Sequence, residues 1–242
     1  MLPRAAAVAF VASLGLSALP VSAAALPALF YRWNDCDDAA VNLRFAAPGV
    51  YRQVLVASGF DQPTGGHTFS ILITGFSGCA KATFPDAWRF DEAGCQSGQI
   101  NWSTAGLGPA CPGLVGPNPL YQNSYTYYSD QLGQDVLMTL FVQHDAAFPD
   151  AGQTYALWVI NYDMRWAVAG PAGGIGLCGD ADRSLCFYLI SARWASSNLI
   201  NYPFLLGGTH LTWQDEPSSG FCPTGCTPAV PSTWSRIRAM YR

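Results

Sequence analysis

Seven segments of the chain alternate apolar and polar side chains with period two, at 41–45, 50–57, 68–74, 135–143, 154–162, 186–194 and 210–214. They are rich in β-branched and aromatic residues and are separated by Gly, Pro, Asn and Asp, the pattern of half-buried strands joined by turns. A helical period is far rarer in the body of the chain. The sequence also holds only two Glu and one Lys, so the residues that normally cover exposed helix faces are nearly missing. Seven or more short strands predict an all-β fold, an antiparallel β-sandwich with a jelly-roll-like arrangement as its variant.

Composition supports a large core and removes several functions. Charged residues make up 12% of the 242 residues and apolar residues 50%, against about 25% charged in an ordinary soluble domain. A mean hydropathy of +0.16 and a net charge of −4 exclude a disordered chain. The cations, eleven Arg and one Lys, are scattered singly, so no basic stripe exists to displace counterions from phosphates and nucleic acid is not an expected partner.

The N-terminus reads as a targeting segment. Arg4 precedes an apolar run at 5–19, followed by Pro20 and the small residues Ser22, Ala23, Ala24 and Ala25. The run is shorter than the roughly 20 residues needed to cross a bilayer, and no basic stop-transfer cluster follows it. Residues 1–23 are therefore expected to be a signal peptide, with cleavage after Ala23 or alternatively Ala25. No membrane span is expected once it is removed, and the mature chain is expected to be secreted or held at the cell surface. Residues 24–230 form one expected domain, since no Ser-, Thr- or charge-rich linker divides them.

Export changes the meaning of the cysteines. All eight, Cys36, Cys79, Cys95, Cys111, Cys178, Cys186, Cys222 and Cys226, follow the cleavage site. An even number in an oxidising compartment favours disulfides over zinc, for which the spacings are unsuited. Short loops close at the least entropic cost, which favours the neighbouring pairs 36–79, 95–111, 178–186 and 222–226 among the many connectivities open to eight cysteines. The proline-rich stretch 106–119 reads as a long loop pinned by Cys111. At the other end, residues 231–242 form a tail in which Ser232 caps a short helix and Trp234, Ile237 and Tyr241 share one face. The tail's simplest role is to dock on the sandwich and cover a sheet edge; a tag for export or surface attachment is the sharper alternative.

The elements Arg32-Trp33-Asn34-Asp35-Cys36, Pro85-Asp86-Ala87-Trp88-Arg89-Phe90 leading to Gly94-Cys95, and Ser232-Thr233-Trp234 through Tyr241-Arg242 touch both ends and the middle of the chain. Together they resemble a group of uncharacterised secreted bacterial proteins with an N-terminal W-N-D-C element and a C-terminal T-W-G-x-(I/V)-K-x-L-Y-R-like tail. The resemblance implies secretion and a β-rich fold and transfers no catalytic residue. Members carry a second Cys in an F-A-C element where this chain has Phe45-Ala46-Ala47, which leaves the partner of Cys36 open.

Catalytic patterns are sparse. His67, His144 and His210 lie far apart in the sequence, so a three-His metal site would need the fold to gather them. The nearest run to a nucleophile elbow, Gly75-Phe76-Ser77-Gly78-Cys79, has its first Gly misplaced. Asp91-Glu92 and Asp215-Glu216 would have to supply any glycosidase pair, and both read first as solvated loop charges. Asp35, Asp37 and Asp38, and Asp180 with Asp182, offer hard oxygens to a structural calcium, although the second run lacks the Gly and Glu of an EF-hand loop. No catalytic residue and no cofactor beyond that calcium is assigned.

The aromatic surplus remains, with eight Trp, eleven Tyr and thirteen Phe. Most belong in a core, but Trp88, Trp102 and Trp213 adjoin turns, and Tyr121, Tyr125, Tyr127 and Tyr128 cluster beside the proline-rich loop. Amphipathic rings in such places can stack on sugars or on partner surfaces. These seven are the candidate binding residues. The expected function is a secreted, non-catalytic structural or binding module whose partner is a glycan or a surface protein; carbohydrate binding through loop aromatics is the alternative, and a glycoside hydrolase ranks below it.

Overall fold

A computed structural model describes residues 26–77, 80–130, 133–172, 174–198, 200–207 and 210–214. The expected signal peptide, Cys79, Cys222, Cys226, the pair Asp215-Glu216 and the C-terminal tail lie outside the described residues.

In chain order the strands are β1 (Ala28–Trp33), β2 (Asn42–Leu43), β3 (Val50–Ser58), β4 (Thr64–Ser77), β5 (Ala80–Lys81), β6 (Ile100–Ser103), β7 (Leu120–Asp130), β8 (Gly133–Ala147), β9 (Thr154–Asp163), β10 (Leu185–Ser196), β11 (Asn201–Pro203), β12 (Leu205–Leu206) and β13 (His210–Trp213). One sheet runs β12-β1-β3-β9-β6 and the other β2-β13-β10-β4-β8-β7, with β11 beside β10 and β5 against the end of β4. Neighbours are antiparallel except β1–β12 and β2–β13. The chain is thus an all-β two-sheet sandwich, and its only helical piece among the described residues is a single 3₁₀ turn, Asp86–Trp88.

Alternation builds the inner faces. Phe69, Ile71 and Ile73 of β4 and Val136, Met138, Leu140 and Val142 of β8 are buried at every second position, because only one side of that sheet meets the other. The middle of the five-stranded sheet is different. Val54, Leu55 and Val56 of β3 are all buried, as are residues 155–160 of β9, since both sides are covered. Leu55 and Ile160 belong to the main core. On the opposite side Val54, Val56, Ala156 and Val159 join Cys36 and Cys111 in a second small core, against which Phe30 and Leu107 pack.

The disulfide Cys36–Cys111, Cα to Cα 6.2 Å, fastens the loop at 104–114 over this second core. A second, Cys95–Cys178, joins the loop after the 3₁₀ turn to the loop after β9, Cα to Cα 5.6 Å. The nearest-neighbour pairings 36–79, 95–111 and 178–186 are therefore corrected. Loop-closure entropy favours short loops, but the sandwich brings together loops 75 and 83 residues apart, with Cys36 and Cys111 in the small core and Cys178 in the main one. Cys186 is also disulfide-bonded.

Trp88 and Trp213 do not adjoin solvent. The segment 84–90 enters the sandwich, burying Phe84, Ala87, Trp88 and Phe90, and the Phe84 amide donates to Gln134 Oε1 at 2.9 Å. Trp88 lies 4.9 Å from Trp213 and 5.2 Å from Phe187, ring centre to ring centre, and Trp33 lies 5.5 Å from Phe187. The indole N–H groups of Trp33 and Trp213 donate to the carbonyls of Thr212 and Ala181. A sequence turn beside a Trp does not imply exposure when the turn itself folds into the core.

The calcium expectation gains no support from the donor set. Asp35 accepts from the Cys36 amide, Asp38 from Asn34 Nδ2 and the Ala40 amide, and Asp182 from the Gly170 amide, while Asp180 pairs with Arg183. These carboxylates hold their own loops. Among the described residues no three His, Cys, Asp or Glu side chains converge on one point.

Candidate binding groove at the open edge

Strands β6 and β7 are the edge strands of opposite sheets, and nothing in the sheet order links them. The sandwich is open there, and a groove of about 520 Å³ runs between the two edges and the loop after β6. Trp102 and Ser103 come from β6, Tyr121 and Asn123 from β7, Trp158 from β9, and Thr104 from the loop. None of the lining residues carries a charge.

The loop wall is fixed by several constraints. The Ala156 amide donates to the Pro112 carbonyl at 2.9 Å, and the amide of Leu107 donates to the Cys111 carbonyl at 2.9 Å. Gly113 passes so close to Thr104 that a Cβ there would lie 1.8 Å from the Thr104 carbonyl oxygen, which only glycine permits. With the Cys36–Cys111 bridge, these contacts preorganise the wall. Tyr121 spans the groove mouth, half exposed, with its hydroxyl 3.0 Å from Thr104 Oγ1.

The floor is shaped by a bulge. Leu55 pairs with Trp158 but Val56 pairs with Ala156, so Leu157 is an extra residue in β9. A bulge turns the strand and frees a carbonyl from the ladder. His67 of β4 takes that carbonyl, with Nε2 3.1 Å from the Leu157 oxygen; Nε2 is therefore the protonated ring nitrogen. The next residue, Trp158, presents its ring to Tyr121 at 6.1 Å and to His67 at 6.3 Å, and its indole nitrogen is buried without a partner among the described residues. Alternation cannot reveal such a site. The sequence shows only an unbroken apolar run at 156–160, within which nothing marks an inserted residue.

Burial, helped by the neighbouring His144 ring 6.4 Å away and opposed by the bond to Leu157, pushes the His67 pKa down to about 3. The unfolded chain protonates His67 below its ordinary value near 6.5 and the folded chain does not, so stability contributed by the neutral ring is full above pH 6.5 and declines as pH falls toward 3. Between pH 7 and pH 4 this one group should cost about 3 kcal/mol. Urea unfolding across that range should show the decline, and His67→Gln, which keeps a donor for Leu157 but cannot titrate, should flatten it; an unchanged slope in the variant would assign the acid sensitivity elsewhere.

Of the seven aromatics proposed from sequence, the structure brings Trp102 and Tyr121 to the groove. Tyr125 and Tyr127 lie further along the same face of β7 and are drawn inward: the Tyr125 hydroxyl donates to the Trp88 carbonyl, and the Tyr127 ring carries the Arg89 guanidinium 3.6 Å from its centre. Tyr128 is on the other face of β7, half-buried, and Trp88 and Trp213 are fully buried and out of reach. Ser103, Thr104, Asn123 and Trp158 are groove residues that sequence reasoning missed. Asp91 is held by two bonds from Arg89, at 2.6 and 2.8 Å, which keep its carboxyl below the usual range, and Glu92 is exposed. Neither carboxylate lines the groove.

No family model and no curated protein matches the chain. Similar solved structures are cohesin modules. The second type II cohesin module from the adaptor ScaA scaffoldin of Acetivibrio cellulolyticus shares 7% identity at a TM-score of 0.41, over 79% of this chain and 98% of the module. The same module with its long C-terminal linker shares 8% at 0.42, over 85% of this chain and 98% of that one. The sixth cohesin from scaffoldin B of the same organism, in complex with a Cel5 dockerin mutant, shares 10% at 0.34, over 79% and 100%. At these values the likeness is one of general architecture and says nothing about what this chain binds.

Proposed function

We propose that the chain is a non-catalytic binding module that works outside the cytoplasm and takes a neutral glycan chain in the β6–β7 groove. One observation carries the reading: the groove sets aromatic rings beside neutral hydrogen-bonding groups, Ser103, Thr104 and Asn123, with no charged side chain in its lining. Sugar rings present C–H faces that stack on indole and phenol rings, and hydroxyls that exchange hydrogen bonds with neutral side chains. A glycosidase would instead need two carboxylates about 5 to 9.5 Å apart at the bond to be broken. The disulfides agree with an oxidising compartment, as does the resemblance to secreted bacterial proteins.

The test is retention of the oxidised chain on a panel of soluble glycans and insoluble polysaccharides, with released sugar measured in parallel. Retention without release is expected, and Trp102→Ala or Tyr121→Ala should weaken it about tenfold, the equivalent of losing one stacked ring. Retention on no member of the panel would overturn the glycan reading, and released sugar would overturn the non-catalytic one.

A further inference from the structure

The edges of the two sheets are managed unequally. Strands β2 and β12 have two residues each and β6 has four, whereas β7, also an edge, has eleven. Long edge strands expose a row of unpaired N–H and C=O groups, and proteins normally blunt them with a bulge, with Lys or Pro, or with a covering loop. β7 has no bulge, Lys or Pro, and among the described residues no loop covers it. Its pairing with β8 is unbroken over eleven residue pairs, from Leu120↔Gln143 to Asp130↔Gly133. It contains no Lys, Arg or Pro, and its one charge, Asp130, sits at the hairpin end. Among the described residues, no loop or turn hydrogen bonds its backbone from the free side.

We propose that β7 pairs antiparallel with β7 of a second copy about a two-fold axis, joining two sandwiches through one continuous sheet. Antiparallel pairing of a strand with itself is self-complementary, as closed two-fold symmetry requires. The charge pattern selects this occupant. The protein carries a net −4, whereas positions 120–129 hold no charge, so identical residues can face one another there without like-charge repulsion. The outward-facing Gln122, Ser124 and Thr126 are exposed, and a second strand would continue the cross-strand hydroxyl pairing that Ser124 already makes with Thr139. The inference does not depend on the glycan reading, which concerns the inner side of β7.

Sedimentation velocity of the oxidised chain lacking residues 1–23, from micromolar to submillimolar concentration, should show a monomer–dimer equilibrium. Ser124→Lys with Thr126→Lys should raise the dissociation constant at least tenfold, while the neutral Ser124→Thr with Thr126→Ser should leave it unchanged; circular dichroism checks that each variant folds. Amide exchange on β7 should slow as the dimer forms. A wild-type chain that stays monomeric at the highest concentration overturns the proposal, including the case in which it binds an unrelated extended peptide instead. A dimer that persists in a folded double-Lys variant, or forms without protecting β7 amides, does so too. Should the double-Lys variant fail to fold, Ser124→Glu alone supplies the same like-charge contrast.

Discussion

Replacing Cys36 and Cys111 together by alanine should lower the free energy of unfolding by about 4 kcal/mol. The bridge closes 75 residues, and chain-entropy loss runs from about 3 kcal/mol for a 15-residue loop to about 4.7 for a 100-residue one. The loop it fastens covers Val54, Val56, Ala156 and Val159, so the variant should also expose apolar surface that the wild-type chain buries. Urea unfolding gives the first quantity from the midpoint, and dye binding reports the second. Glycan retention should fall as well, because the same loop supplies Thr104 to the groove. A change under about 1 kcal/mol would mean that the backbone bonds of the loop hold it without the bridge.

Trp88→Ala should cost about 4 kcal/mol, in the range for emptying a fully buried Trp position. The cavity would open among Phe90, Tyr162, Phe187 and Trp213, whose rings all lie within 6 Å of Trp88. Trp102→Ala makes the contrast: its ring is only partly buried at the groove, so it should cost less than half as much stability while removing most of the glycan affinity. Equal stability losses for the two variants would show that Trp102 is a packing residue and would leave the groove without its main stacking surface.

The central strands were legible because one-sided burial writes a period of two into the sequence. β4, β8 and β10 are recovered at 68–74, 135–143 and 186–194, each extending beyond the predicted ends to Thr64–Ser77, Gly133–Ala147 and Leu185–Ser196. β7 was hidden for the opposite reason. As an edge strand, it alternates tyrosine with Gln, Asn, Ser and Thr instead of apolar with polar, and it reads as a polar loop. β1 follows directly on a long apolar N-terminal run that masks its own alternation. The groove was half legible: Trp102 and Tyr121 are conspicuous, but Trp158 becomes a floor residue only through the Leu157 bulge, and a one-residue insertion leaves no mark in a run of apolar residues. The disulfide partners were illegible because proximity in the sandwich, not along the chain, decides them.

The Cys36–Cys111 and Cys95–Cys178 bridges cross along the sequence, since Cys95 lies between Cys36 and Cys111, and Cys111 lies between Cys95 and Cys178. A chain threaded through a membrane from its N-terminus delivers Cys36, Cys79 and Cys95 to the oxidising side before either long-range partner of Cys36 or Cys95 has arrived. An oxidase that joins thiols in order of emergence would make wrong pairs first. For a chain exported as its N-terminal residues predict, productive biogenesis needs either a delay in oxidation until strands from β1 to β10 have assembled, or an isomerase that reshuffles early bridges. A host that only oxidises should accumulate misbridged, protease-sensitive chain, and one supplied with a periplasmic-type disulfide isomerase should recover the folded protein.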